Sequence, residues 1–503
     1  MQKIFKILTL TFFSVLLIIF VVLATFGVET NKFNNVISKQ INQSNKNIEL
    51  KLNSIIFKLD IKKLSLFLET DDPQISYRGA ILPTDKIKVY IDFTSLLKSR
   101  PNVKKVDVLL EKLEVNQLKK FTSIIKPSNF KNILVKNITK GELSANIEIY
   151  FDKKNLVNNF IARGTVSNLE AKVFKKYLIK ETNFNFFADK TDVLIKNIDL
   201  VFNHFILKDG DLKLNLSPNL NLAANFNTNI KLGEELPFSL LDKIKDFETF
   251  KNLKNFEAEL ENSLSIKFDE TYKVNQYELK SRGKILSAKM LFEKPINNFI
   301  SGEKINFASI ISTDIEIDLN NKNKFISLSG KYSIEDDEYL YFDLENNLKK
   351  NNLLIKINSE YSKDINIEFL NYKKNKDSIA NISVFFEKNK NETQINKLEY
   401  KNEKNLIQIK DLILKDKKLV SLNKASVKTY NNEKLNNDFN LDFKNKILIK
   451  GKKFDATNLQ KLFNKGSSDN NFSLISNDIE IDITKILAPM SENLEDFKLI
   501  GKI

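Results

Sequence analysis

The chain has 503 residues and 42% hydrophobic content, which is enough apolar material for more than one core and excludes a wholly disordered chain. Its formal charge of +15 comes from lysines that alternate with acidic and apolar residues, a distribution typical of solvated sheet faces and not of a polyanion site. The lack of cysteine in the sequence excludes disulfides, thiolate metal sites and thiol catalysis.

The N-terminus predicts a membrane anchor. Lys3 and Lys6 precede an uncharged run from Ile7 to Val28, which Glu29 ends. As a helix this run of about 22 residues would be about 33 Å long, close to the thickness of bilayer hydrocarbon. A cleaved signal peptide is the alternative, although the run is longer than such a segment requires. By the positive-inside rule, residues 1–6 are expected in the cytoplasm and the rest of the chain after the anchor on the far side.

Alternating strands are predicted for most of the remaining chain, joined by short connections rich in Asn, Lys and Asp. The stretch NIELKLNSIIFKLDIKKLSLFLET, residues 47–70, places apolar and charged residues on opposite faces. The candidate apolar lining residues from this stretch and from IKVYIDF are Ile48, Leu50, Leu52, Ile87, Val89, Ile91 and Phe93. Later predicted strands include Val106–Leu110, Ile147–Phe151, Val193–Ile198, Leu212–Leu216, Ile315–Leu319, Phe325–Leu328, Leu353–Ile357, Ile365–Phe369, Ile379–Phe385, Leu406–Leu414 and Ile479–Ile483.

Helices are predicted at few places. LPFSLLDKIKDFETFKNLKNF, residues 236–256, has Pro237 in its first turn and apolar residues at helical spacing. A shorter helix is predicted after Asp455 as N-cap, and residues 30–47 could form a short helix or stalk. The expected organisation is a cytoplasmic N-terminus and a transmembrane anchor, two β-rich regions separated by a helical element, and a continuation beyond the end of the sequence. The corresponding ranges are 1–6, 7–28, 29–235, 236–260 and 261–503.

A weak internal echo accompanies the strands. IARGTVSNLEAKV (161–173) and KSRGKILSAKM (280–290) share an Arg-Gly pair and a later Ala-Lys. Gly330, Gly451 and Gly501 occupy a similar place after apolar strands, which predicts a repeated bend or bulge in one long sheet.

Chemistry-bearing motifs are missing from the sequence. The single histidine, His204, cannot form a two-histidine metal site, and no phosphate-binding loop, nucleophile elbow or calcium loop occurs. The sequence therefore predicts a protein that is not an enzyme and has no metal or cofactor. Nucleic-acid binding is not expected, because the lysines are dispersed and the anchor directs the domain away from the cytoplasm.

The predicted strands pose a covering problem. About two dozen strands at ~4.8 Å spacing form a ladder about 110 Å long, and its apolar face must be curled, closed or covered. Few helices are predicted to cover it. The expected fold is therefore mostly β, with a long curled, mainly antiparallel sheet forming an elongated apolar groove, one N-terminal transmembrane helix and a few short helices.

The order of these features resembles the AsmA-like proteins of Gram-negative envelopes, in particular large members with a DUF3971-type region, which are related to bridge-like lipid-transfer proteins. The resemblance rests on the N-terminal span, on residues 87–115 and 161–214, on the Pro-containing segment with ELKSRGKILSAKM after it, and on ILIKGKKFDATNLQKLF. Large members continue further than this sequence does, and glycine is scarcer here.

The resemblance implies a single-pass inner-membrane protein, held through residues 7–28, with its bulk in the periplasm and without catalytic residues. Its implied cargo is phospholipid, whose acyl chains would slide along the groove between the inner and outer membranes, with outer-membrane or periplasmic proteins as further partners. An envelope scaffold with a closed core and no lipid cargo is the alternative, because alternating strands more often form protein core than ligand groove.

Overall fold

The computed structural model shows a chain built mainly of β-strands. The structure describes residues 2–31, 34, 38, 48–61, 65–77, 79–82, 84–91, 103–124, 136–152, 157–173, 177–202, 205–233, 253–271, 273–297, 304–349, 352–415, 418–431, 433–444, 446–458, 478–488 and 493–502. Two compact units make up the chain, the first of Met1–Thr228 with Leu264–Asn275 and the second of Asn229–Ser263 with Gln276–Ile503.

The first unit begins with helix α1 (Gln2–Thr25) and includes helix α2 (Val115–Ile124). Its strands are β1 (Val28–Thr30), β2 (Ile48–Lys51), β3 (Ile55–Asp60), β4 (Ser65–Asp71), β5 (Gln74–Tyr77), β6 (Ala80–Leu82), β7 (Lys86–Ile91), β8 (Val103–Glu114), β9 (Ile138–Phe151), β10 (Val157–Val173), β11 (Tyr177–Asp189), β12 (Asp192–Phe202), β13 (Phe205–Asn215) and the larger part of β14 (Asn221–Leu232).

The second unit contains the larger parts of β15 and β16 and all later strands. These strands are β15 (Leu253–Phe268), β16 (Val274–Asn297), β17 (Lys304–Asn320), β18 (Asn323–Ile334), β19 (Leu340–Lys349), β20 (Asn352–Tyr361), β21 (Ile365–Ile367), β22 (Tyr372–Lys374), β23 (Ala380–Lys388), β24 (Glu392–Asn402), β25 (Asn405–Lys415), β26 (Lys418–Asn431), β27 (Lys434–Phe443), β28 (Lys446–Asp455), β29 (Asp478–Leu487) and β30 (Asn493–Lys502). A 3-10 turn, Glu368–Leu370, lies between β21 and β22.

Among the described strands, 25 belong to one mainly antiparallel sheet. In the first unit, registers connect β1, β3, β4 and then β7 to β13 in that order. In the second unit they connect β16 to β20 and then β23 to β30, with β28 and β29 paired in parallel. Strands β2, β5 and β6 form a separate sheet, and β21 pairs only with β22 within the described part of the chain. The mostly β, mainly antiparallel fold predicted from the alternation is confirmed.

Alternation of side chains explains why these segments are strands. In β14, Leu222, Phe226 and Ile230 are half-buried, whereas Asn225 and Asn227 between them are exposed. Successive side chains of a strand point to opposite faces, so such a segment presents one apolar and one polar surface. The same pattern recurs in neighbouring strands, and the sheet as a result has two chemically different faces.

Bulges recur at adjacent positions of neighbouring strands in the first unit. Asn168, Glu181, Asn197 and Asp209 have φ of 51–53° and lie at or beside register shifts between β10, β11, β12 and β13. Side chains of the neighbouring strand bind amides at these points; Asn183 Oδ1, for example, accepts a hydrogen bond from the Asn168 amide at 3.0 Å. A bulge bends its strand and increases the local twist, so a line of bulges curves the sheet.

Most glycines of the internal echo allow a close approach between strands, and two of them also mark bulges. Gly164 and Gly283 lie where the preceding strand approaches closely, and a Cβ atom on either would be 2.0 Å from a backbone carbonyl oxygen. Gly330 and Gly451 lie within β18 and β28 against similarly close neighbours, whereas Gly501 has only ordinary contacts. Gly330 lies opposite the register shift between Ile311 and Asp314, and Gly451 lies beside the shift between Asp438 and Phe439, so glycines do mark bulges at these two positions. The residues at positive φ in the bulges are mainly Asn, Asp and Glu.

Several predicted elements need correction. The helix expected over 236–256 is not seen in its described part, because β15 already begins at Leu253; residues 234–252, like His204, lie outside the described residues. The anchor helix ends at Thr25 and not at Val28, which belongs to β1. Asp455 ends β28, and its Oδ1 atom accepts hydrogen bonds from Thr457, but the helix predicted after it lies outside the described residues.

Candidate functional site

The first unit has a continuous apolar line across seven neighbouring strands. Each residue of this line is the register partner of the next, from β7 to β13. The line consists of Ile87, Val108, Ile147, Ala162, Ala188, Val193 and Leu214. Ile87 is buried and the other six are only half-buried, so the described residues do not cover this face with a complete second layer.

A longer line of the same kind crosses twelve neighbouring strands of the second unit, from β17 to β30. Its members are Ile315, Leu328, Leu344, Ile357, Val384, Leu398, Ile409, Ala425, Leu441, Ile449, Ile481 and Leu499. At ~4.8 Å between strands this second apolar line is about 53 Å long when measured along the sheet. Leu499 is 39% exposed and the others are half-buried.

The opposite face of the first unit carries ion pairs between strands. Glu69 of β4 is only 3% exposed and contacts the Nζ atoms of Lys58 at 2.9 Å, Lys88 at 3.2 Å and Lys86 at 3.4 Å. Burial acts to raise the pKa of Glu69, but hydrogen bonds and charge attraction from Lys58 and Lys88 outweigh it and lower that pKa. Glu69 therefore stays ionised and joins three strands on the polar face.

A second charged cluster continues this face across β8, β9 and β10. Lys105 Nζ lies 2.6 Å from Asp107 and 3.5 Å from Glu148, and above the Tyr90 ring at 4.6 Å. Arg163, the arginine of the first Arg-Gly pair, binds the same Glu148. A hydrogen bond from the Tyr150 hydroxyl is the main cause of the lowered pKa of Glu148.

The second Arg-Gly pair, like the first, combines an ion pair to a neighbouring strand with a close backbone approach at the glycine. Arg282 of β16 contacts Glu316 of β17 at 2.7 Å, as Arg163 contacts Glu148 of its neighbouring strand. In both pairs the glycine is on the opposite face, pressed against the backbone of the preceding strand. The sequence echo thus marks a shared close approach of the glycine to the preceding strand, whereas the arginine binds the preceding strand in the first pair and the following strand in the second.

An insertion between β20 and β23 covers part of the apolar face in the second unit. It comprises β21, the 3-10 turn and β22, residues 365–374, and is called the inner hairpin below. Ile365, Leu370 and Tyr372 are at most 2% exposed and pack against residues of β20 to β28. The packed cluster includes Ile334 of β18 and Ile449 of β28, strands that would be about 38 Å apart on a flat sheet. We infer that these strands curve around the inner hairpin.

Buried polar groups fix the inner hairpin in place. The Leu370 carbonyl accepts hydrogen bonds from Asn437 Nδ2 at 2.7 Å and Asn436 Nδ2 at 3.2 Å. The Tyr372 and Tyr400 hydroxyls are 2.8 Å apart, and burial raises the pKa of both tyrosines. Because so many of its polar atoms are paired, the hairpin is a built part of this end of the sheet and not a loosely packed loop.

A buried lysine closes the base of the inner hairpin. Lys374 is 3% exposed, and its Nζ atom donates hydrogen bonds to the carbonyl oxygens of Ser362, Lys363 and Asn375 at 2.6–3.1 Å. Burial lowers the pKa of Lys374. These three hydrogen bonds hold the two ends of the inner hairpin together.

The predicted lining residues do not share one surface. Ile48 and Leu50 lie in β2, which pairs with β5 in the separate three-stranded sheet, and Leu50 is buried there. Leu52 follows that strand. Ile87, Val89 and Ile91 do lie on one face of β7 in the large sheet, and Phe93 lies outside the described residues. The interpretation of the 47–70 stretch as a single part of the groove was therefore wrong for its first strand, because β2 pairs away from the large sheet.

Sequence reasoning also missed the inner hairpin. Ile365–Phe369 was expected to be a strand, but β21 ends at Ile367 and a 3-10 turn follows, ending at Asn371 in the left-handed conformation. Tyrosines at 361, 372 and 400 were a possible signal, although nothing in their spacing indicates that they meet.

Within the described ranges, no group of three His, Cys, Asp or Glu side chains is arranged to hold a metal ion. The features available for function are the two apolar lines, the charged outer face and the N-terminal helix, of which residues Lys3–Thr25 are long and apolar enough to cross a membrane. Comparison of the chain with protein-family models, with curated proteins and with solved structures gives no match.

Proposed function

We propose that this chain is a membrane-anchored, non-catalytic lipid conduit of the AsmA-like type, in which phospholipid acyl chains lie along the apolar face of the sheet. The observation that carries the proposal is the second apolar line, from Ile315 to Leu499, in which twelve successive strands each contribute an apolar, incompletely buried residue. Burying an acyl chain on such a surface contributes about 0.8 kcal/mol per CH₂ group. Because the line has no polar groups at fixed intervals, an acyl chain bound to it could slide along the sheet.

The connection of the anchor to the sheet supports this proposal. After α1 ends, only Phe26 and Gly27 precede β1, which pairs with β3. Gly27 has φ of +74°, and its amide donates to the Val22 carbonyl at 2.8 Å, the hydrogen bond of a glycine-terminated helix. With α1 in a bilayer, β1 and β3 therefore lie next to the membrane surface, where a lipid leaving the bilayer would first meet the sheet.

The charge distribution supports the same orientation. Lys3 and Lys6 at the start of α1 favour a cytoplasmic N-terminus, which would place the sheet outside the cytoplasm. In a Gram-negative cell this location is the inner membrane with the sheet in the periplasm, and the proposed path runs toward the outer membrane. In this proposal the apolar face holds lipid, while the buried ion pairs of Glu69 and Lys105 join the strands on the other face.

Adjacent phenylalanines provide a matched test. Phe186 pairs with Gly164 and Ile195 on the apolar face of the first unit, whereas Phe187 pairs with Arg163 and Leu194 on the other face and is 39% exposed. The photoreactive analogue p-benzoylphenylalanine would replace each in turn in the full-length chain, in cells with radiolabelled phospholipid. We expect light-dependent lipid adducts at position 186 and not at position 187.

A second pair repeats the test in the other unit. Phe386 is the register partner of Ile355 on the apolar face, and Phe385 is the partner of Lys356 on the opposite face. Lipid adducts at 186 and 386 but not at 187 and 385 would support the conduit. Equal labelling of both members of each pair, or none at any position in a folded protein, would contradict it.

An envelope scaffold is the second candidate function, and the inner hairpin favours it. The cluster around Leu370 and Tyr372 shows that protein can cover part of the apolar face. A scaffold whose partner covers the remaining face would give protein adducts at Phe186 and Phe386 in place of lipid adducts. The same photocrosslinking experiment therefore separates the two functions.

A further inference from the structure

One edge of the sheet in the second unit collects exposed lysines. They lie in or beside the turns at the ends of β17, β19, β23, β25, β27 and β30 and at the start of β28. This lysine rim comprises Lys322, Lys349, Lys388, Lys390, Lys415, Lys444, Lys446 and Lys502, all of them exposed.

Strand registers place these lysines along a single edge. Lys349 pairs with Asn323 and Asn352, the first residues of the strands on either side of it. Lys388 pairs with Leu353, and Lys415 with Glu392, again at strand ends. The edge continues through Lys446 and Asp478 to Lys502. The lysine rim thus follows the second apolar line along much of its length.

Most lysines of the rim have no acidic partner among the described residues. Lys446 pairs with Glu480, but no ion pair with a described carboxylate involves the other seven. Lysines on the outer face differ, since Lys58, Lys86, Lys88 and Lys105 are all paired. Glu392 and Asp478 lie on the same edge, so the rim carries an excess of lysines over described carboxylates, and this net positive charge is available to an external anion.

The opposite edge differs in charge and in coverage. There the inner hairpin covers the apolar face, and turns carry both signs, as in Glu403 with Lys404 and Glu433 with Lys434. At the rim edge most apolar side chains remain half-buried up to the strand ends, whereas Leu422 and its register partner Phe443 are buried. Lys388 itself follows Phe386 on the apolar face, because its register partner is Leu353 and that of Phe386 is Ile355.

We propose that the lysine rim binds the phosphate-bearing headgroups of anionic lipids whose acyl chains occupy the second apolar line. This inference rests on the proposed function and adds a headgroup preference to it. The pairing of an apolar surface with a predominantly basic edge matches an anionic amphiphile, which has an apolar tail and a negative phosphate at one end. A zwitterionic headgroup would gain less, because its own ammonium offsets the attraction.

The test compares two sets of four substitutions that remove the same charge. The rim variant carries Lys388→Gln, Lys390→Gln, Lys415→Gln and Lys444→Gln. The control variant carries substitutions at four exposed lysines of the opposite edge, K373Q, K376Q, K404Q and K434Q. Each full-length chain is purified in non-ionic detergent containing equal phosphatidylglycerol and phosphatidylethanolamine, and the lipids retained per chain are counted by native mass spectrometry.

We expect the wild type and the control variant to retain phosphatidylglycerol preferentially. The rim variant should lose this preference by about tenfold, since each exposed charge contact contributes a factor of about two, and should keep a similar total number of lipids. If the rim variant keeps the wild-type preference, or if the control loses as much, the rim proposal is wrong although the conduit stands. If the folded wild type retains no lipid at all, both proposals are overturned.

Discussion

The contact between Asn437 and the inner hairpin gives the most quantitative prediction. Asn437 of β27 is completely buried, and its side chain makes three hydrogen bonds. Its Nδ2 atom donates to the Leu370 carbonyl at 2.7 Å and to Thr429 Oγ1 at 2.8 Å, and its Oδ1 atom accepts from the Asp455 amide at 2.9 Å. Asn437→Ala removes all three hydrogen bonds at once.

The cost follows from what remains unpaired. The Leu370 carbonyl keeps a hydrogen bond from Asn436 Nδ2 at 3.2 Å, so its loss is partial. The Asp455 amide loses its side-chain acceptor in a buried position, which costs about 1–3 kcal/mol, and the two lost donor bonds add about 1 kcal/mol or less each. We expect the folded sheet to be destabilised by about 3 kcal/mol. The Leu370 bond, which alone of the three joins Asn437 to the hairpin, contributes about 1 kcal/mol of this, and its loss corresponds to about fivefold more frequent opening of the hairpin.

Hydrogen–deuterium exchange of the full-length chain in detergent measures this opening directly. Peptides covering residues 365–374 should exchange about fivefold faster in the Asn437→Ala variant than in the wild type. Asn440→Ala is the matched control, because Asn440 lies on the same strand but is exposed and accepts only one side-chain hydrogen bond, from Ser426 at 2.7 Å. Unchanged exchange in the first variant, or equal acceleration in the second, would refute the reasoning.

Three further predictions concern the first unit and the glycines. Folding lowers the pKa of Glu69, so the ionised carboxylate stabilises the fold above its ordinary pKa of 4.5, and this stabilisation is lost as pH falls through the folded pKa. Glu69→Gln should therefore lower the thermal midpoint at about pH 6 and make that midpoint less dependent on acid pH. Gly164→Ala places a Cβ atom 2.0 Å from the Ser144 carbonyl oxygen and should lower the free energy of urea unfolding by at least ~2 kcal/mol. Gly233→Ala is the control, because no described atom lies within contact of its Cβ position, and it should lower that free energy by less than about 0.5 kcal/mol. Gly27→Val places a side chain on a residue in the left-handed conformation, with its Cβ atom 2.5 Å from Ile56, and should speed amide exchange in β1. Unchanged exchange would show that the helix and the sheet are not joined there as described.

The fold class was predictable because its signal is local and repeated. Residues such as Phe226 and Ile230 alternate with polar neighbours, and this period of two places them on one face of β14 whatever else the chain does. Antiparallel order followed from the short turns between successive strands. These properties need only sequence separations of a few residues.

The inner hairpin and the position of β2 depend on contacts between distant residues. Asn437 seats Leu370 across 67 positions of sequence, and no local pattern at either residue indicates the other. Ile48 and Leu50 alternate as well as any residues of the large sheet, but alternation identifies a strand without identifying its partner. The anchor boundary was misjudged for a related reason, since Val28 is apolar enough for a membrane helix but follows Gly27, which ends it.

The lysine rim was not predicted because the charges were assigned to the two faces of the sheet and not to its two edges. In an antiparallel ladder each turn reverses the chain, so alternate turns fall on the same edge of the sheet. Turns on one edge begin or end with Lys349, Lys388, Lys415 and Lys444, with Glu392 as an acidic residue among them. The intervening turns instead combine one acid with one lysine, as in Glu403 with Lys404 and Glu433 with Lys434. Averaged along the sequence, these turns look like an even mixture of charges typical of a solvated surface. When the turns are grouped by the edge of the sheet on which they lie, one edge is predominantly basic. This is the edge that the inner hairpin does not cover.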